Sequence, residues 1–438
     1  MRLYQSWGRY PRANHTRIVP VVWRSNPPNL SEIPEKMLPF AYGRSYGDSC
    51  LNAGGALLDV SRLRKFIAFD ETRGILRCEA GVTLAEVLAL VVPRGWFVPV
   101  LPGTKWVSVG GAIANDIHGK NHHRAGTFGA HVTCFELMRS TGERILCTPE
   151  RNAELFRATI AGLGLTGLIL WAEFQLKRIP GPAIAMERIR FGGLRDFLNL
   201  STSDQEYEYT VAWIDCLASG RALGRGLFLR GDHVAGSDAM APDDGPRISV
   251  PLDLPSALIS RGTTAVFNAL YYRAQLRTRQ RRTTRYEPFF FPLDGIGAWN
   301  RLYGRNGFLQ YQCVVSDDSE SAIAELLGQV AGSRETPSLA VLKRFGPIAS
   351  PGLLSFPRPG ITLAMDFAMR GSSTLDLLER LDRVVLEAGG AVYPAKDARM
   401  SAESFQHFFP QWTSFASQMD PQFSSSFWRR VTAGAKPG

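Results

Sequence analysis

"NAELFRATIAGLGLTGLILWAEFQL", residues 152–176, contains the pattern G-x-G-x-x-G in "GLGLTG" (162–167). That pattern marks a dinucleotide-binding turn only where a strand precedes it and a helix follows, because the pyrophosphate then lies at the helix N-terminus. Here the order is reversed. "NAELFRATIAG" predicts a helix capped by Asn152 and stopped at Gly162, and "LILWAEFQL" alternates like a strand. The sequence therefore argues against a Rossmann domain.

The segment before residue 152 predicts short strands joined by tight turns. "VTLAEVLALVVPRG" (82–95) is a helix by its capping box, formed by Thr83 and Glu86, and by its single apolar face. "TCFELMRSTGERILCTP" (133–149) predicts a hairpin that turns at Thr141 and Gly142. After residue 181 the segments become longer and poorer in glycine, with an irregular basic stretch between about 218 and 285.

The segment from residue 307 onward predicts the order β-α-β-β-α-β, a four-stranded antiparallel sheet covered on one face by two helices. In "FLQYQCVVS" the period of two places Gln310 and Gln312 on one side, and Lys343 lies in another strand, "SLAVLKRFG". Polar groups on a buried sheet need partners. The uncovered face could therefore meet a ligand, although a solvent-exposed face is the simpler interpretation.

The composition describes a folding protein with a positive field. The 438 residues carry a net charge of +10, with 45% hydrophobic and 21% charged residues, and this length is typical of two or three domains. The six cysteines form no CxxC pair, which favours a reducing compartment. Neither a signal peptide nor a membrane span is evident, so we expect the cytoplasm.

The densest positive cluster is "RAQLRTRQRRTTR" (273–285), which follows the apolar stretch "AVFNALYY". A solvated helix or loop is the plain interpretation. The alternative is a flap that lies on an anionic lipid surface, which would place the protein peripherally at the inner face of the membrane.

Two glycine-rich segments contain the residues best suited to chemistry. In "GGAIANDIHGKNHHRAGTFG" (110–129), His118 and His122 have the spacing of zinc ligands on a helix, but the required glutamate is absent and the glycines argue against a helix. We therefore predict no metal, and a loop in which His118, Lys120 and Asn121 offer donors to a ligand. "AYGRSYGD" (41–48) is a second such loop, and the two together could bracket a pyrophosphate. Ordinary turn glycines remain the alternative.

These segments resemble a known family. "AYGRSYGDSCLNAGGALLDVSRL", "VPVLPGTKWVSVGGAIANDIHGKNHHRAGTFG", "ELFRATIAGLGLTGLI", "GFLQYQ", "LKRFG" and "YPAKDAR" are similar to segments of the decaprenylphosphoryl-β-D-ribose 2′-oxidases. These are flavoenzymes of the vanillyl-alcohol-oxidase superfamily. The resemblance runs from Trp7 to about Phe427.

The resemblance implies an α+β fold, with a two-lobed PCMH-type FAD-binding domain over residues 1–180, an inserted substrate domain over 181–394 whose antiparallel sheet is covered by helices, and a return to the FAD-binding domain over 395–438. FAD would be bound non-covalently, because residues 43–47 contain neither the histidine nor the cysteine that bonds the flavin in many relatives. The resemblance assigns to FAD the residues Gly43, Arg44, Ser45, Tyr46, Gly47, Pro102, Gly103, Thr104, Val109, Gly110, Gly111, Ala114, Asn115, Ile117, His118, Asn121, Gly126, Gly164, Gly167 and Lys396.

The resemblance also implies the reaction. Lys396 would polarise or deprotonate the 2′-hydroxyl of a polyprenylphosphoryl ribose, with His118 and Tyr46 beside the flavin. The residues implied on the substrate side are Gln310, Gln312, Lys343, Lys120, Trp213, Thr362, Ala364 and Phe290. Three of these depart from the pattern of the actinobacterial members, which have asparagine, cysteine and tyrosine where this chain has Thr362, Ala364 and Phe290. The segments that the resemblance assigns to the flavin match the family pattern, so the resemblance supports the redox chemistry better than it supports the identity of the sugar lipid.

We therefore expect an FAD-dependent oxidase whose 2′-keto product passes to a separate NADH-dependent keto-reductase for epimerisation to the arabinose donor. A flavin oxidase of free aldoses, alditols or aldonolactones is the alternative. A basic non-enzymatic protein that binds nucleic acid or membrane is a rival of another class, and it predicts a colourless protein with salt-dependent binding. We expect no nucleic-acid partner.

Overall fold

The fold was described from a computed structural model of the chain, over residues 4–236, 248–255 and 258–434. It is an α+β fold, as the sequence predicts. Up to Arg178 the chain forms ten strands and four helices. Strands β1–β10 are Arg17–Pro20, Met37–Phe40, Ala56–Asp59, Phe66–Asp70, Ile75–Glu79, Trp96–Phe97, Val132–Met138, Arg144–Cys147, Leu168–Gln175 and Lys177–Arg178. Helices α1–α4 are Leu84–Val91, Val109–Ala114, His122–Ala125 and Ala153–Thr159.

These strands form two main sheets. One is parallel with the order β1-β3-β2, and the other is antiparallel with the order β4-β5-β9-β7-β8. The predicted capping box at the start of α1 is confirmed, since Thr83 accepts from the Glu86 amide and Glu86 accepts from the Thr83 amide. The predicted hairpin is confirmed as well, with Gly142 at a φ of 87° in its turn.

The order of elements around "GLGLTG" is the one that the sequence predicts, with α4 before the turn and β9 after it. The predicted cap of α4 is wrong in detail. Asn152 has a φ of 55° and makes no side-chain cap bond; its amide nitrogen donates to the Leu146 carbonyl at the end of β8 instead. The helix also ends at Thr159, three residues before Gly162.

The second part of the chain contributes strands β11–β20: Ala183–Phe191, Tyr209–Ile214, Gly226–Val234, Ile248–Ser249, Arg279–Arg285, Ile296–Gly297, Phe308–Val315, Pro337–Phe345, Gly360–Ala368 and Ala391–Val392. Its helices α5–α9 are Leu194–Ser203, Arg261–Arg273, Tyr286–Phe290, Glu320–Gly332 and Ser372–Glu387. The last helices, α10–α12, are Ala402–Phe408, Trp412–Gln418 and Ser426–Val431.

One eight-stranded sheet dominates this part, in the order β15-β11-β13-β12-β18-β19-β17-β20. The predicted four-stranded sheet is its second half, and the predicted antiparallel pairing is correct. The prediction of an irregular stretch from 218 to 285 is wrong for the described residues, because β13, α6 and β15 lie there. Their alternation is hidden by polar and glycine residues, and β13 and β15 are fixed by pairing with β11.

The two faces of this sheet differ. Helices α8 and α9 pack on the face that carries Tyr311, Leu342 and Leu363, within a large apolar core. The register places Gln310 opposite Asp366, Gln312 opposite Ala364, and Lys343 opposite Thr362 on the other face. That polar face turns toward the first part of the chain, so it is not simply solvated.

The C-terminal helices return to the first part. Ser424 donates its amide to the Met37 carbonyl, and Arg430 binds Asp48 at 2.7 Å. In the described residues, no helix combines the length and the apolar character needed to cross a bilayer. All six cysteines are free thiols.

Candidate active site

Residues 393–397 bring the two glycine-rich segments together. The Tyr46 amide donates to the Ala395 carbonyl at 2.9 Å, and the Tyr393 hydroxyl donates to the Asn115 carbonyl at 2.7 Å. A Cβ on Gly47 would lie 1.6 Å from the Asp397 carbonyl oxygen, so only glycine permits this approach. The segment that carries Lys396 therefore joins both loops into one site.

The first loop presents a buried cation, Arg44. The Arg44 guanidinium lies 4.3 Å from the centre of the Trp7 ring, and burial lowers the pKa of this side chain. Its Nε is buried, and no hydrogen-bond partner for it is found in the part of the chain that the structure describes. A buried donor in this state is costly unless a ligand satisfies it, and Gly43, with a φ of 60°, forms the adjacent turn.

The second loop is partly helical, which corrects the prediction from the sequence. "VGGAIA" forms α2, because the Ser108 side chain caps it by accepting from the Gly111 amide. Glycine is needed at 110 for another reason: a Cβ there would lie 2.9 Å from Cβ of Ala80. His118 and His122 do not share a helix, and the described residues hold no cluster of three potential metal-ligating side chains.

The "GLGLTG" turn lies behind α2. The Leu163 amide donates to the Ala114 carbonyl at 2.8 Å. Gly164 and Gly167 have positive φ values and approach Pro39 and Met138, respectively. The turn thus holds the end of α2 against the rest of the first part of the chain.

His118 is the centre of a hydrogen-bonded group on the sheet. Its Nδ1 lies 3.2 Å from Nζ of Lys343, and its Nε2 lies 3.0 Å from the Gln312 amide. Burial first, and then the Lys343 charge, hold the His118 pKa well below its usual range. A neutral imidazole has one donor and one acceptor nitrogen. The Gln312 side-chain nitrogen can only donate, so Nε2 of His118 accepts from it and Nδ1 carries the ring proton.

Lys396 lies between an aromatic ring and a buried acid. Its Nζ is 3.7 Å from the centre of the Tyr46 ring. Burial lowers its pKa, and the negative charge of Asp366 opposes that shift. Asp366 accepts a hydrogen bond from Gln310 and a longer one, at 3.5 Å, from the Tyr303 hydroxyl. Burial raises the pKa of Asp366.

Lys120 completes a group of three cationic side chains that face the same space. Burial lowers its pKa to about 8, and its Nζ donates to the Phe290 carbonyl at 3.1 Å. Burial, with the charges of Lys120 and Lys396, lowers the pKa of Lys343 to about 7. Lys120 and Lys396 both act on Lys343, whereas Asp366 acts on Lys396, so this group of lysines is suited to an anion.

The structure also locates the other residues predicted on the substrate side. Thr362 donates to the Cys313 carbonyl and contacts Gln312, and Ala364 lies opposite Gln312 in the register. The Trp213 ring packs edge-on against Tyr271 of α6 at 4.7 Å. The Phe290 ring is buried among aromatic side chains. Nζ of Lys120 lies 5.8 Å from the centre of this ring and donates to the Phe290 carbonyl.

The remaining residues predicted at the cofactor frame the second loop. Asn121 donates to the Pro99 carbonyl at 2.8 Å, and Thr104 accepts from the Trp106 amide at 3.3 Å. Gly126 has a φ of 67°, and Gly103 faces open space. The Ser45 carbonyl accepts from the Trp7 amide at 2.8 Å, Val109 and Ile117 are buried, and Pro102 is half-buried.

Sequence reasoning missed several residues of the site. Asp366 shares its face of β19 with Thr362 and Ala364, so the period of two could have identified it. Phe345 and Tyr393 pack on the His118 ring at 4.8 and 5.5 Å. No local signal in the sequence indicates these two contacts.

Comparison with known proteins identifies the family. A model described as an FAD binding domain matches residues 32–148. The decaprenylphosphoryl-β-D-ribose oxidase of Mycolicibacterium smegmatis is 36% identical over 405 residues, which are 89% of this chain and 87% of that protein. The chain belongs to the decaprenylphosphoryl-β-D-ribose oxidase family. An uncharacterised protein of Streptomyces coelicolor is 34% identical over 80% of this chain and 100% of its own length.

More distant relatives cover less of the chain. The human Δ24-sterol reductase is 32% identical over 30% of this chain, and the D-arabinono-1,4-lactone oxidase of Yarrowia lipolytica is 28% identical over 36%. This family member is an FAD-dependent oxidoreductase with a PCMH-type FAD-binding domain. The buried Arg44 Nε without a partner and the glycine turns beside it fit the pyrophosphate of FAD.

Proposed function

We propose that this flavoenzyme oxidises the 2′-hydroxyl of a polyprenylphosphoryl-β-D-ribose to the 2′-keto sugar, the first half of epimerisation to the arabinose donor. The observation that carries the substrate class is the group of Lys120, Lys343 and Lys396, in which the charges of Lys120 and Lys396 both act on Lys343; it matches a phosphorylated substrate better than a neutral sugar. The Mycolicibacterium smegmatis relative, whose name gives decaprenylphosphoryl-β-D-ribose as its substrate, matches 89% of this chain.

We infer that Lys396 takes the proton of the 2′-hydroxyl. Burial lowers the pKa of this lysine, so that a useful fraction is the neutral amine near pH 7. Bound FAD supplies the acceptor for the hydride that leaves C2′. Tyr46 holds the lysine amine over its ring, and His118, kept neutral by burial, positions Gln312 and Lys343 next to the sugar phosphate.

FAD is non-covalent in this proposal. Residues 43–47 lack a histidine and a cysteine. The nearest thiol, Cys50, is a poor nucleophile because burial raises its pKa to about 12. The FAD-binding domain is proposed to comprise residues 1–180 and 395–438, and the inserted substrate domain residues 181–394.

A flavin oxidase of free aldoses, alditols or aldonolactones is the second candidate. The partial match to lactone oxidases supports it, but such a substrate brings no negative charge to the lysine group. The partners in the first proposal are a lipid-linked sugar phosphate and a separate NADH-dependent keto-reductase. The proposed location is the cytoplasm, with a peripheral contact at the inner face of the membrane.

Anaerobic titration of the FAD-loaded protein tests the substrate class. A short-chain, water-soluble prenylphosphoryl ribose should bleach the flavin absorbance. Free ribose, the same prenyl riboside without phosphate, and arabinonolactone should not do so at equal concentration. Bleaching by the lactone but not by the phosphorylated ribose would favour the second candidate.

A further inference from the structure

Helix α6 has its apolar side turned outward. Its buried positions include Thr264 and Asn268, while Val266, Phe267 and Leu270 are 61%, 54% and 66% exposed. Leu276, just after the helix, is 87% exposed. A surface helix of a soluble protein normally buries its apolar stripe. Contiguous exposed apolar side chains are therefore typical of an interaction surface.

The apolar stripe lies in an arginine-rich part of the sequence. Between residues 258 and 286 the sequence contains seven arginines and no acidic residue. Arg281 and Arg285 bind Glu187 and Glu287. Over the described ranges, Arg273, Arg277 and Arg282 make no ion pair, and all three are exposed. We call Val266, Phe267, Leu270, Leu276 and these three arginines the α6 surface.

The α6 surface adjoins the substrate side of the site. Trp213 packs on Tyr271, and Tyr271 stacks on the exposed Phe267 ring at 5.8 Å. Trp213 pairs with Val341, whose side chain shares the sheet face of Lys343. An aromatic path thus runs from the sheet face of the lysine group to the outer side of α6.

We infer that the α6 surface is the contact of this enzyme with an anionic lipid bilayer. An amphipathic helix with apolar residues outward and arginines beside them is the arrangement that lies in a lipid interface. Each arginine near an anionic surface adds attraction. Arginines on an edge strand such as β15 also discourage strand pairing, but that role does not explain the outward Val266, Phe267 and Leu270.

The inference rests on the proposed function in one respect only: a lipid-linked substrate gives the contact a purpose. The bilayer would hold the prenyl tail while the sugar phosphate reaches Lys343 along the aromatic path. Binding to lipid can nevertheless be measured without substrate, so the two proposals can fail separately.

Flotation of the FAD-loaded full chain with vesicles tests the surface. We expect binding to vesicles of equal parts phosphatidylglycerol and phosphatidylcholine, weaker binding in high salt, and little binding to phosphatidylcholine alone. Phe267→Ser should weaken binding about tenfold. Its matched control is Phe66→Ser, at a half-exposed position on β4, which should leave binding unchanged.

A second matched pair tests the charges. Arg273→Gln with Arg282→Gln should weaken binding by about fivefold for each arginine. Arg195→Gln with Arg383→Gln, on α5 and α9 at the opposite face of the sheet, should have no such effect. Absence of binding to the anionic vesicles overturns the inference, as does equal loss in both members of a pair. Self-association that Phe267→Ser abolishes, without vesicle binding, would assign the surface to a second copy and overturn it too.

Flavin reduction by the short-chain prenylphosphoryl ribose serves as the separating measurement. It should be unchanged in the arginine variants, because neither Arg273 nor Arg282 lies in the lysine group or on the aromatic path. Vesicle binding without reduction by any prenylphosphoryl sugar would remove the proposed substrate and leave the surface. Reduction of the flavin without vesicle binding would support the proposed substrate and overturn the inference about the α6 surface.

Discussion

The amine of Lys396 lies 3.7 Å from the centre of the Tyr46 ring, and the negative charge of Asp366 acts on it. The ring excludes water from one side of the amine, and its π-face stabilises the protonated ammonium by a cation–π interaction. Lys396 can therefore exist as either amine or ammonium near neutral pH. A group with that property is suited to exchanging a proton with a substrate hydroxyl.

Lys396→Ala should lower kcat by about 10²- to 10⁴-fold, the usual contribution of a general base. FAD binding should persist, since this substitution leaves intact the two loops that are proposed to hold FAD. Stopped-flow reduction of the flavin measures the loss, and the visible spectrum reports retained FAD. Full turnover with bound FAD would exclude Lys396 as the base.

Asp366→Asn should move the pH profile of flavin reduction to lower pH. Asp366 raises the Lys396 pKa against the effect of burial, so removal of the negative charge lowers that pKa further. The neutral amine accepts the proton, and its fraction increases as pH rises, so the ascending limb of kcat should shift toward acid. Thr362→Val, on the same strand, is the control and should not move that limb.

Lys343→Met should raise the KM of the phosphorylated substrate by about ten- to a hundredfold, the range for a lost hydrogen bond to a charged group. The kcat at saturation should change less. Lys65→Met, a lysine that lies over the Trp23 ring, is the control. An unchanged KM would place the phosphate elsewhere.

The wild-type KM should also depend on pH. Lys343 loses its proton as pH rises through its pKa of about 7 and Lys120 through about 8, so attraction for the phosphate weakens above those values. KM should rise between about pH 7 and 9. In Lys343→Met the part of this increase near pH 7, which comes from Lys343, should be absent.

Gly47→Ala should destabilise the site by more than about 3 kcal/mol, because the added Cβ collides with the Asp397 carbonyl. The colliding atom belongs to the backbone, so it cannot move away as a flexible side chain could. The melting temperature and the fraction of FAD retained measure the effect. Gly328→Ala in α8, where a Cβ meets no atom within 4 Å, should leave both unchanged or raise stability slightly. Equal behaviour of the two variants would contradict the close approach.

Denaturation in guanidinium should release all yellow colour from the protein, since no reactive histidine or cysteine lies in residues 43–47. Filtration after unfolding separates free from bound flavin. Removal of the denaturant without added FAD should give colourless protein that regains its spectrum when FAD is supplied. Colour that stays with the unfolded chain would indicate a covalent bond.

Much of the local structure follows from the sequence. The capping box of α1, the hairpin at Gly142 and the reversed order around "GLGLTG" each depend on residues close together in the chain, and each is confirmed. Strands β13 and β15 could not be predicted this way, because they are fixed by pairing with β11 and, for β13, also with β12. The prediction that the Asn152 side chain caps α4 is wrong for a similar reason, because this side chain donates to the Leu146 carbonyl in β8.

The sequence by itself determined the kinds of residue in the site: two glycine turns, a histidine, three lysines, and two glutamines on one side of a strand. Only the tertiary structure decided which of them meet. Lys343 and His118 are 225 residues apart in the chain, yet Nζ of Lys343 lies 3.2 Å from Nδ1 of His118. Gln310 donates to Asp366 on the neighbouring strand. The shifted pKa values arise from burial by distant segments, and desolvation depends on everything packed around a group, which a sequence pattern does not encode.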